Sequence, residues 1–177
     1  MKNKSMSKFV VVDVESDGNL LGVNSMVCFG AVVVDEKLDK TFYGQVRPES
    51  SQYNPEALAI SGFTREEHEN FEHPKTTMLK FEQWLKDVAG NKPILISDNN
   101  GYDASWINWY MLTYVGKNPF GWSSRRIGDL FCGWKNDMYY KWKQHRKTSH
   151  THNPVDDAVG NAEALLYLQS EGFKLFK

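Results

Sequence analysis

The sequence has little of several features that would place a protein in a class at once. Its 177 residues include only two cysteines, so a fold built on disulfide bonds is excluded, and Cys28 and Cys132 are expected to be free buried thiols, as in a reducing cytoplasm. No apolar run approaches the roughly 20 residues of a membrane-spanning helix, so no membrane partner is expected. The basic start, residues 1–8, runs directly into a strand pattern that contains acidic residues, so it is not expected to be a signal peptide.

The net charge excludes nucleic-acid binding through an overall positive charge. The formal net charge is −1, so there is no overall basic field of the kind that marks many nucleic-acid-binding proteins, and any such binding must come from a local patch. What the chain does contain is 41% hydrophobic and 14% aromatic residues, which is typical of a globular protein with a sizeable core. The length favours a single domain over residues 1–177.

Three strand patterns open the chain. The β-branched run at residues 9–12 is typical of a strand buried on both faces. Residues 26–34 and 40–47 follow after short connections, which predicts an antiparallel meander. Further strands are predicted at residues 93–97 and 127–130.

Helix patterns occupy most of the remaining sequence. Asn54, Thr64 and Asn153 are predicted N-caps, the first and last with proline next in sequence and the second within a Thr-x-x-Glu capping box. The predicted helices cover residues 54–61, 64–70, 76–89, 102–115 and 131–142 and a last one from residue 153. The apolar face of the last helix is predicted to consist of Val155, Val159, Ala162 and Leu166. Since strands and helices alternate after the meander, the sequence predicts an α/β protein with a mixed central sheet.

Two carboxylates stand at the end of the first strand. Asp13 and Glu15 are two residues apart, and such residues point to the same side of an extended chain. Like charges so close repel each other unless a cation lies between them, and a hard divalent cation such as Mg²⁺ or Mn²⁺ suits oxygen ligands. The alternative is a strand that runs into a solvated acidic turn, with Gly18 at the bend.

Two later segments carry similar side chains. Asp103 lies just inside a predicted helix that follows a buried strand, and sites in open α/β sheets gather beyond the strand ends. His152 precedes the final helix, and Asp157 lies in its first turn. Each aspartate also suits a helix N-terminus through the helix dipole, so neither is decisive alone.

Taken in order, Asp13, Glu15, Asp103, His152 and Asp157 form a set that resembles the DEDDh branch of the 3′–5′ exonucleases, the superfamily of RNase T, oligoribonuclease and polymerase proofreading domains. The resemblance covers residues 9–168, and the short chain is similar to the small stand-alone exoribonucleases of phages and bacteria. Two positions depart from the family pattern. Asp98 and Asn99 stand where a His-Asn pair is frequent, and Pro154 stands where a small residue is usual.

The resemblance implies a ribonuclease H-like fold and a metal-dependent 3′–5′ exonuclease that acts on single-stranded RNA or DNA, with RNA favoured, and releases nucleoside 5′-monophosphates. Asp13 would bridge two divalent cations, Mg²⁺ or Mn²⁺, with Glu15 and Asp157 on the nucleophile side. Asp103 would hold the second cation, and His152 would be the general base, on a loop that closes over substrate. Because the imidazole must be neutral for that role, activity is expected to fall in acid.

Substrate contacts are expected at three places, each of which has a structural alternative. Apolar residues follow the pair Asp13 and Glu15, at the place where the family packs apolar side chains against the terminal base. These residues are Leu20, Leu21 and Met26, and they also suit core or loop packing. Trp106 and Trp109 suit base stacking or the core. In the basic segment 141–147, Lys143 and Arg146 suit phosphate guidance or a solvated loop.

Asp129 is expected to be structural, and the Trp-rich segment 122–142 suits a homodimer surface. An endonuclease of the ribonuclease H type is one alternative function, but His152, which precedes Asp157 in the last segment, argues against it. A second is a non-catalytic nucleic-acid-binding or adaptor module on the same fold. Loss of a ligand would favour that module, and all five residues are present. A structural protein without a site would make the ordered motifs a coincidence.

Overall fold

The computed structural model describes residues 8–90 and 92–175, so the basic start lies largely outside the described residues. Within these described ranges, five strands form one sheet in the order β3-β2-β1-β4-β5. The strands are β1 (Phe9–Ser16), β2 (Met26–Val33), β3 (Thr41–Gln45), β4 (Ile94–Ser97) and β5 (Arg125–Arg126).

Strand pairing confirms the predicted mixed sheet. Strand β2 pairs antiparallel with both β1 and β3, whereas β4 pairs parallel with both β1 and β5. Strand β1 lies in the centre of the sheet, and Val10, Val11 and Val12 are completely buried because helices cover both faces. The central strand is therefore the rigid element that carries Asp13 and Glu15.

In the part of the chain that the structure describes, six α-helices and one 3₁₀ turn surround the sheet. They are α1 (Pro55–Ile60), α2 (Arg65–Glu69), α3 (Pro74–Val88), α4 (Asn100–Val115), α5 (Ile127–Lys135) and α6 (Pro154–Ser170), with the 3₁₀ turn at Trp142–His145. The predicted N-caps are confirmed, because the side chains of Asn54, Thr64 and Asn153 accept hydrogen bonds from the first turns of α1, α2 and α6. Helix α3 begins two residues earlier than predicted, since the His73 imidazole caps it by accepting the Lys75 N–H (3.1 Å).

The core has two layers, one on each face of the sheet. Phe81 of α3 and Trp106 and Tyr110 of α4 pack on one face, and Phe131 of α5 and Leu165 of α6 pack on the other. Cys28 is buried and Cys132 is half-buried, and both are free thiols. Among the described residues, no helix is both long and apolar enough to cross a membrane.

The structure corrects the prediction for residues 125–142. Residues 127–130, predicted as a strand, form the first turn of α5, and the fifth strand is the short pair before them. Ile127, Leu130 and Phe131 are three and four residues apart, so a helix places all three on one face, and a short apolar run does not distinguish this from a strand. The predicted helix 131–142 ends at Lys135, because Asn136 adopts a left-handed conformation with φ of 54°.

The apolar face of α6 also differs from the prediction. Ala162 is buried as expected, but Val155, Val159 and Leu166 are only half-buried, and the buried residues of α6 include Gly160 and Asn161. The helix lies so close to the sheet that small residues occupy the contact. Hydrophobicity alone does not select small residues, which explains the error.

Candidate active site

Strand β1 presents Asp13 and Glu15 on one face at the carboxyl end of the sheet. Asp13 pairs in register with Gly30 of β2, and the register shifts immediately after Glu15. Burial raises the pKa of Glu15 to about 7, and the charge of Asp157 adds to the effect. The pKa of Asp13 is raised well above its usual range, first by burial and then by the charges of Asp103, Glu15 and Asp157.

Asp103 reaches the same place from the first turn of α4. Its side chain is buried, and Oδ1 accepts a hydrogen bond from the backbone N–H of Val14 (3.2 Å). Its second oxygen, Oδ2, is buried and accepts no hydrogen bond within 3.5 Å, although the Ser97 hydroxyl lies near enough to lower the pKa of this carboxyl. Burial raises the pKa of this carboxyl to about 7, with a contribution from the charge of Asp98. A buried carboxylate oxygen without a partner is costly in a folded protein and is a candidate ligand for a cation.

Asp157 reaches the site from the first turn of α6. It is 1% exposed, and its oxygens accept hydrogen bonds from the Arg146 guanidinium (2.7 Å) and the His152 backbone N–H (3.1 Å). Two glycines allow this close packing. A Cβ on Gly30 would lie 2.2 Å from the backbone of Pro154, and a Cβ on Gly160 would lie 2.5 Å from Arg146 Nε.

The structure therefore brings together the acidic side chains of three separate segments, which lie in β1, α4 and α6. One carboxylate oxygen from each of Asp13, Glu15 and Asp157 lies within 4.8 Å of the others, and Asp103 is close enough to raise the pKa of Asp13. Asp13, Glu15 and Asp103 line a cavity of about 620 Å³ together with Tyr102 and Arg126. An all-oxygen donor set with raised pKa values and one unpartnered oxygen fits hard divalent cations.

His152 lines the same cavity from the segment before α6. Its φ is 60°, a left-handed value that few L-residues other than asparagine and aspartate adopt. The side chain is 51% exposed, and its Nδ1 lies 3.9 Å from Glu15 Oε1. The backbone of His152 is thus fixed by Asp157 while its ring stays accessible to a substrate in the cavity.

The predicted substrate contacts divide into surface and core residues. Leu20 and Leu21 are exposed (62% and 38%) on the loop after β1, where the Asn24 side chain accepts the Leu20 N–H (3.0 Å). Met26 and Trp106, by contrast, are completely or almost completely buried in the core, so neither offers a surface to a nucleotide in this conformation. Both continue the apolar patterns of β2 and α4, and their side chains pack inside the same layer of the core.

The two basic residues predicted to contact phosphates already have ion-pair partners, and Trp109 lies in a separate recess. Lys143 forms an ion pair with Asp98 (2.6 Å), the aspartate that departs from the family pattern, and Arg146 pairs with Asp157. Trp109 is 39% exposed and lies beside Leu21 and Leu112 in a shallow apolar recess. Asp129 pairs with Arg126 (2.9 Å).

Sequence reasoning gave no role to two residues of the cavity, His150 and Arg126. His150 Nδ1 lies 2.7 Å from Asp157 Oδ1, and its ring lies 4.3 Å from that of His152. The spacing of two between His150 and His152 was an available signal, because residues two apart in an extended segment share a side. No comparable local pattern marks Arg126.

No family model matches the chain. One relative, the 3′-5′ DNA exonuclease Cap18 of Escherichia coli, is 30% identical over 172 residues, which cover 94% of this chain and 90% of that protein.

Solved structures share the fold at lower identity. The nuclease domain of 3′hExo, a DEDDh family member bound to rAMP, gives a TM-score of 0.78 at 18% identity over 98% of this chain and 96% of that chain. Cell-death related nuclease 4 (CRN-4) gives 0.77 at 14% identity over 95% of this chain and 65% of that chain. E. coli Exonuclease I in complex with a dT13 oligonucleotide gives 0.72 at 17% identity over 93% of this chain and 41% of that chain. These similarities confirm the predicted ribonuclease H-like fold.

Proposed function

Because this chain belongs to the DEDDh family of 3′–5′ exonucleases, we propose that it shortens single-stranded nucleic acid from the 3′ end and releases nucleoside 5′-monophosphates. The observation that carries the proposal is the convergence of Asp13, Glu15 and Asp157, whose oxygens lie within 4.8 Å of one another. Asp103 completes the set, and its unpartnered oxygen supports a cation at that position.

The four carboxylates are proposed to hold two divalent cations, Mg²⁺ or Mn²⁺. Asp13 would bind both, Glu15 and Asp157 would bind one, and Asp103 would bind the other. When bound, such cations activate a water molecule and stabilise the leaving 3′ oxygen of a phosphodiester. The pKa values of Glu15 and Asp103, raised to about 7 by burial, support this proposal, because a nearby positive charge would stabilise the ionised carboxylates.

His152 is proposed to act as the general base that takes the proton of the attacking water. Its accessible ring lines the cavity. The hydrogen bond from its backbone N–H to Asp157 holds the backbone that carries this ring in position. Only the neutral imidazole accepts a proton. Leu20 and Leu21, exposed on the loop after β1, would pack against the terminal base, and Lys143 and Arg146 would contact phosphates after leaving their present ion pairs.

Two nucleic acids are candidates for the substrate. The expectation of RNA came from the resemblance to small exoribonucleases and stays a prediction. The relative that is 30% identical is named as a DNA exonuclease, which favours single-stranded DNA for this chain. A protein distinguishes the two through a few contacts to the 2′-hydroxyl, so a direct comparison decides between them.

The test is a gel assay with 5′-labelled single-stranded DNA and RNA of the same sequence, in Mg²⁺, Mn²⁺ or EDTA. We expect a ladder that shortens from the 3′ end, that disappears in EDTA and that is lost in Asp13→Ala and His152→Ala. Asp87→Ala is the matched control, because Asp87 is exposed on α3 and contacts Gln83. If none of the proteins cleaves either substrate but all retain binding in a shift assay, the non-catalytic binding module replaces this proposal.

Three broader expectations stay predictions. A single exonuclease domain is proposed for residues 1–177, and the two free thiols favour the cytoplasm. A homodimer through the segment 122–142 is supported by the exposure of Trp122 (85%) and Trp134 (43%), although Trp142 is buried. Sedimentation of the wild type beside Trp122→Ala tests the dimer.

A further inference from the structure

Two histidines and one aspartate meet at the mouth of the cavity. The side chains of His150 and His152 are 56% and 51% exposed, and their ring centroids are 4.3 Å apart. His150 Nδ1 lies 2.7 Å from Asp157 Oδ1. One ring nitrogen from each histidine and one oxygen of Asp157 all lie within 4.8 Å of one another.

This ligand set differs in chemistry from the all-carboxylate set beside it. Two imidazole nitrogens and one carboxylate oxygen are a common ligand set for Zn²⁺, which leaves the fourth tetrahedral position to water. Mg²⁺ prefers six oxygen ligands, so the imidazoles offer it little. In a tetrahedral zinc site the ligand atoms are roughly 3.3–3.5 Å apart, which rotation of two exposed rings can achieve here.

The backbone that carries the two histidines is fixed at both ends. Glu163 of α6 accepts the backbone N–H groups of Lys147 and Thr148 (both 2.7 Å). Asp157 accepts the His152 N–H, and its own carboxylate is buried. The backbone of the ligands is therefore in place before a cation arrives, which lowers the entropy cost of binding, and the two rings and the Arg146 guanidinium beside Asp157 Oδ1 are the groups that have to move.

We propose that His150, His152 and Asp157 form a Zn²⁺ site, and that zinc bound there inhibits the nuclease. The inhibitory part rests on the proposed function, because zinc would occupy the ring of the general base and share Asp157 with the catalytic cations. The zinc site itself depends only on the three side chains. His150, which has no role in the proposed hydrolysis, is the residue that distinguishes this site from the carboxylate cluster.

Zinc binding is measured first, by competition with a chromogenic chelator in excess Mg²⁺, with the circular dichroism of every variant as a check of folding. We expect wild-type protein and Asp13→Ala to bind zinc, because Asp13 is not a ligand. His150→Ala and His150→Gln should bind at least roughly tenfold more weakly. The control is His73→Asn, which removes an exposed histidine elsewhere and keeps an acceptor for the Lys75 N–H.

The result that overturns the site is zinc affinity that persists in both His150 variants, or that is lost in Asp13→Ala. The latter would place zinc among the carboxylates. Inhibition is measured separately, as the zinc concentration that halves the rate of each variant relative to its own zinc-free rate. A wild-type protein that binds zinc through His150 and cleaves at full rate would overturn the inhibitory role, and a protein that cleaves nothing would reject the proposed function while leaving the binding result intact.

Discussion

Burial raises the pKa of both Glu15 and Asp103 to about 7, and that of Asp13 is raised as well. Each of these residues repels its acidic neighbours, and Asp103 also leaves one oxygen without a partner. The protein without cations therefore holds charges that destabilise it near neutral pH. The burial and mutual repulsion of these carboxylates are the chemical reason that the site suits divalent cations.

The stability of the cation-free protein is expected to fall as the pH rises between about pH 5 and pH 8. A carboxyl group whose pKa is raised on folding binds its proton more tightly in the folded state, so its stabilising contribution is present at low pH and lost as the pH rises through the folded pKa. For Glu15, a shift from 4.5 to about 7 corresponds to on the order of 3 kcal/mol.

Thermal melts in EDTA at several pH values check this expectation. Asp103→Asn, which cannot ionise, should show a smaller loss of stability with rising pH, and added Mg²⁺ should raise the melting temperature most at high pH. A cation-free melting temperature that increases with pH over this range would contradict the argument.

Two substitutions at His152 separate backbone strain from chemistry. Both His152→Ala and His152→Gly should lose about 10²- to 10⁴-fold in hydrolysis rate, because both lack the base. The glycine variant should be more stable than the alanine variant by roughly 1 kcal/mol, because φ is 60° at this position and glycine adopts that value without a Cβ clash. Urea denaturation and single-turnover rates measure the two effects, and equal stability of the two variants would argue against strain at residue 152.

Helix α6 and strand β1 have to lie unusually close for the site to form. Asp157 is on the helix, Asp13 is on the strand, and Gly30 of β2 lies beside Asp13 in register and against the backbone of Pro154. No larger residue at position 30 permits this approach. The distance between the carboxylates is thus set by the packing of two elements, and not only by the residues that carry the charges.

Gly30→Ala is expected to lower both stability and activity. The new Cβ would lie 2.2 Å from the backbone of Pro154, so α6 must shift, and overpacking of this kind costs about 1–3 kcal/mol. Gly133→Ala is the matched control, because nothing lies within 4 Å of a Cβ there, and alanine in a helix should stabilise by roughly 0.5–1 kcal/mol. Denaturation and nuclease rates of both variants decide the matter. A Gly30→Ala protein as active and stable as the wild type would contradict the packing argument.

Glu163 positions the segment before α6 without touching the cavity. Glu163→Ala leaves the N–H groups of Lys147 and Thr148 without their acceptor and should cost about 1–2 kcal/mol. Amide hydrogen exchange in the segment 147–152 should become faster, and Glu163→Gln should restore part of the protection because its amide oxygen still accepts. Unchanged exchange in the alanine variant would show that other contacts hold the segment.

On the scale of the whole molecule, local sequence patterns were sufficient to predict most of the helices and strands. The capping residues Asn54 and Thr64 and the alternation of Asp13 and Glu15 act between near neighbours, so the sequence alone revealed them. The face of α6 and the burial of Met26 depend on how distant elements pack. The segment 127–130 was predicted wrongly because a four-residue apolar run suits either a strand or one turn of a helix.

The charge of the whole molecule leads to a binding prediction. The net charge is −1, and the acidic cavity is lined by only one arginine among the described residues, so a polyanion should bind poorly without cations. With His152→Ala, which is expected not to degrade it, a single-stranded oligonucleotide should bind at least roughly tenfold more tightly in Mg²⁺ than in EDTA. Fluorescence anisotropy measures this ratio, and equal affinities would show that binding does not depend on the cation site.

The order in which the chain supplies its active-site residues has a consequence for its synthesis. Asp13, Glu15 and Asp103 leave the ribosome first, and the proposed base His152 and the last carboxylate, Asp157 of α6, follow. A nascent or truncated chain that stops before residue 152 contains three acids and no means of hydrolysis. Under the proposed mechanism, such a chain is expected to cleave nucleic acid only after α6 has docked on the sheet, so partly made copies should be inactive.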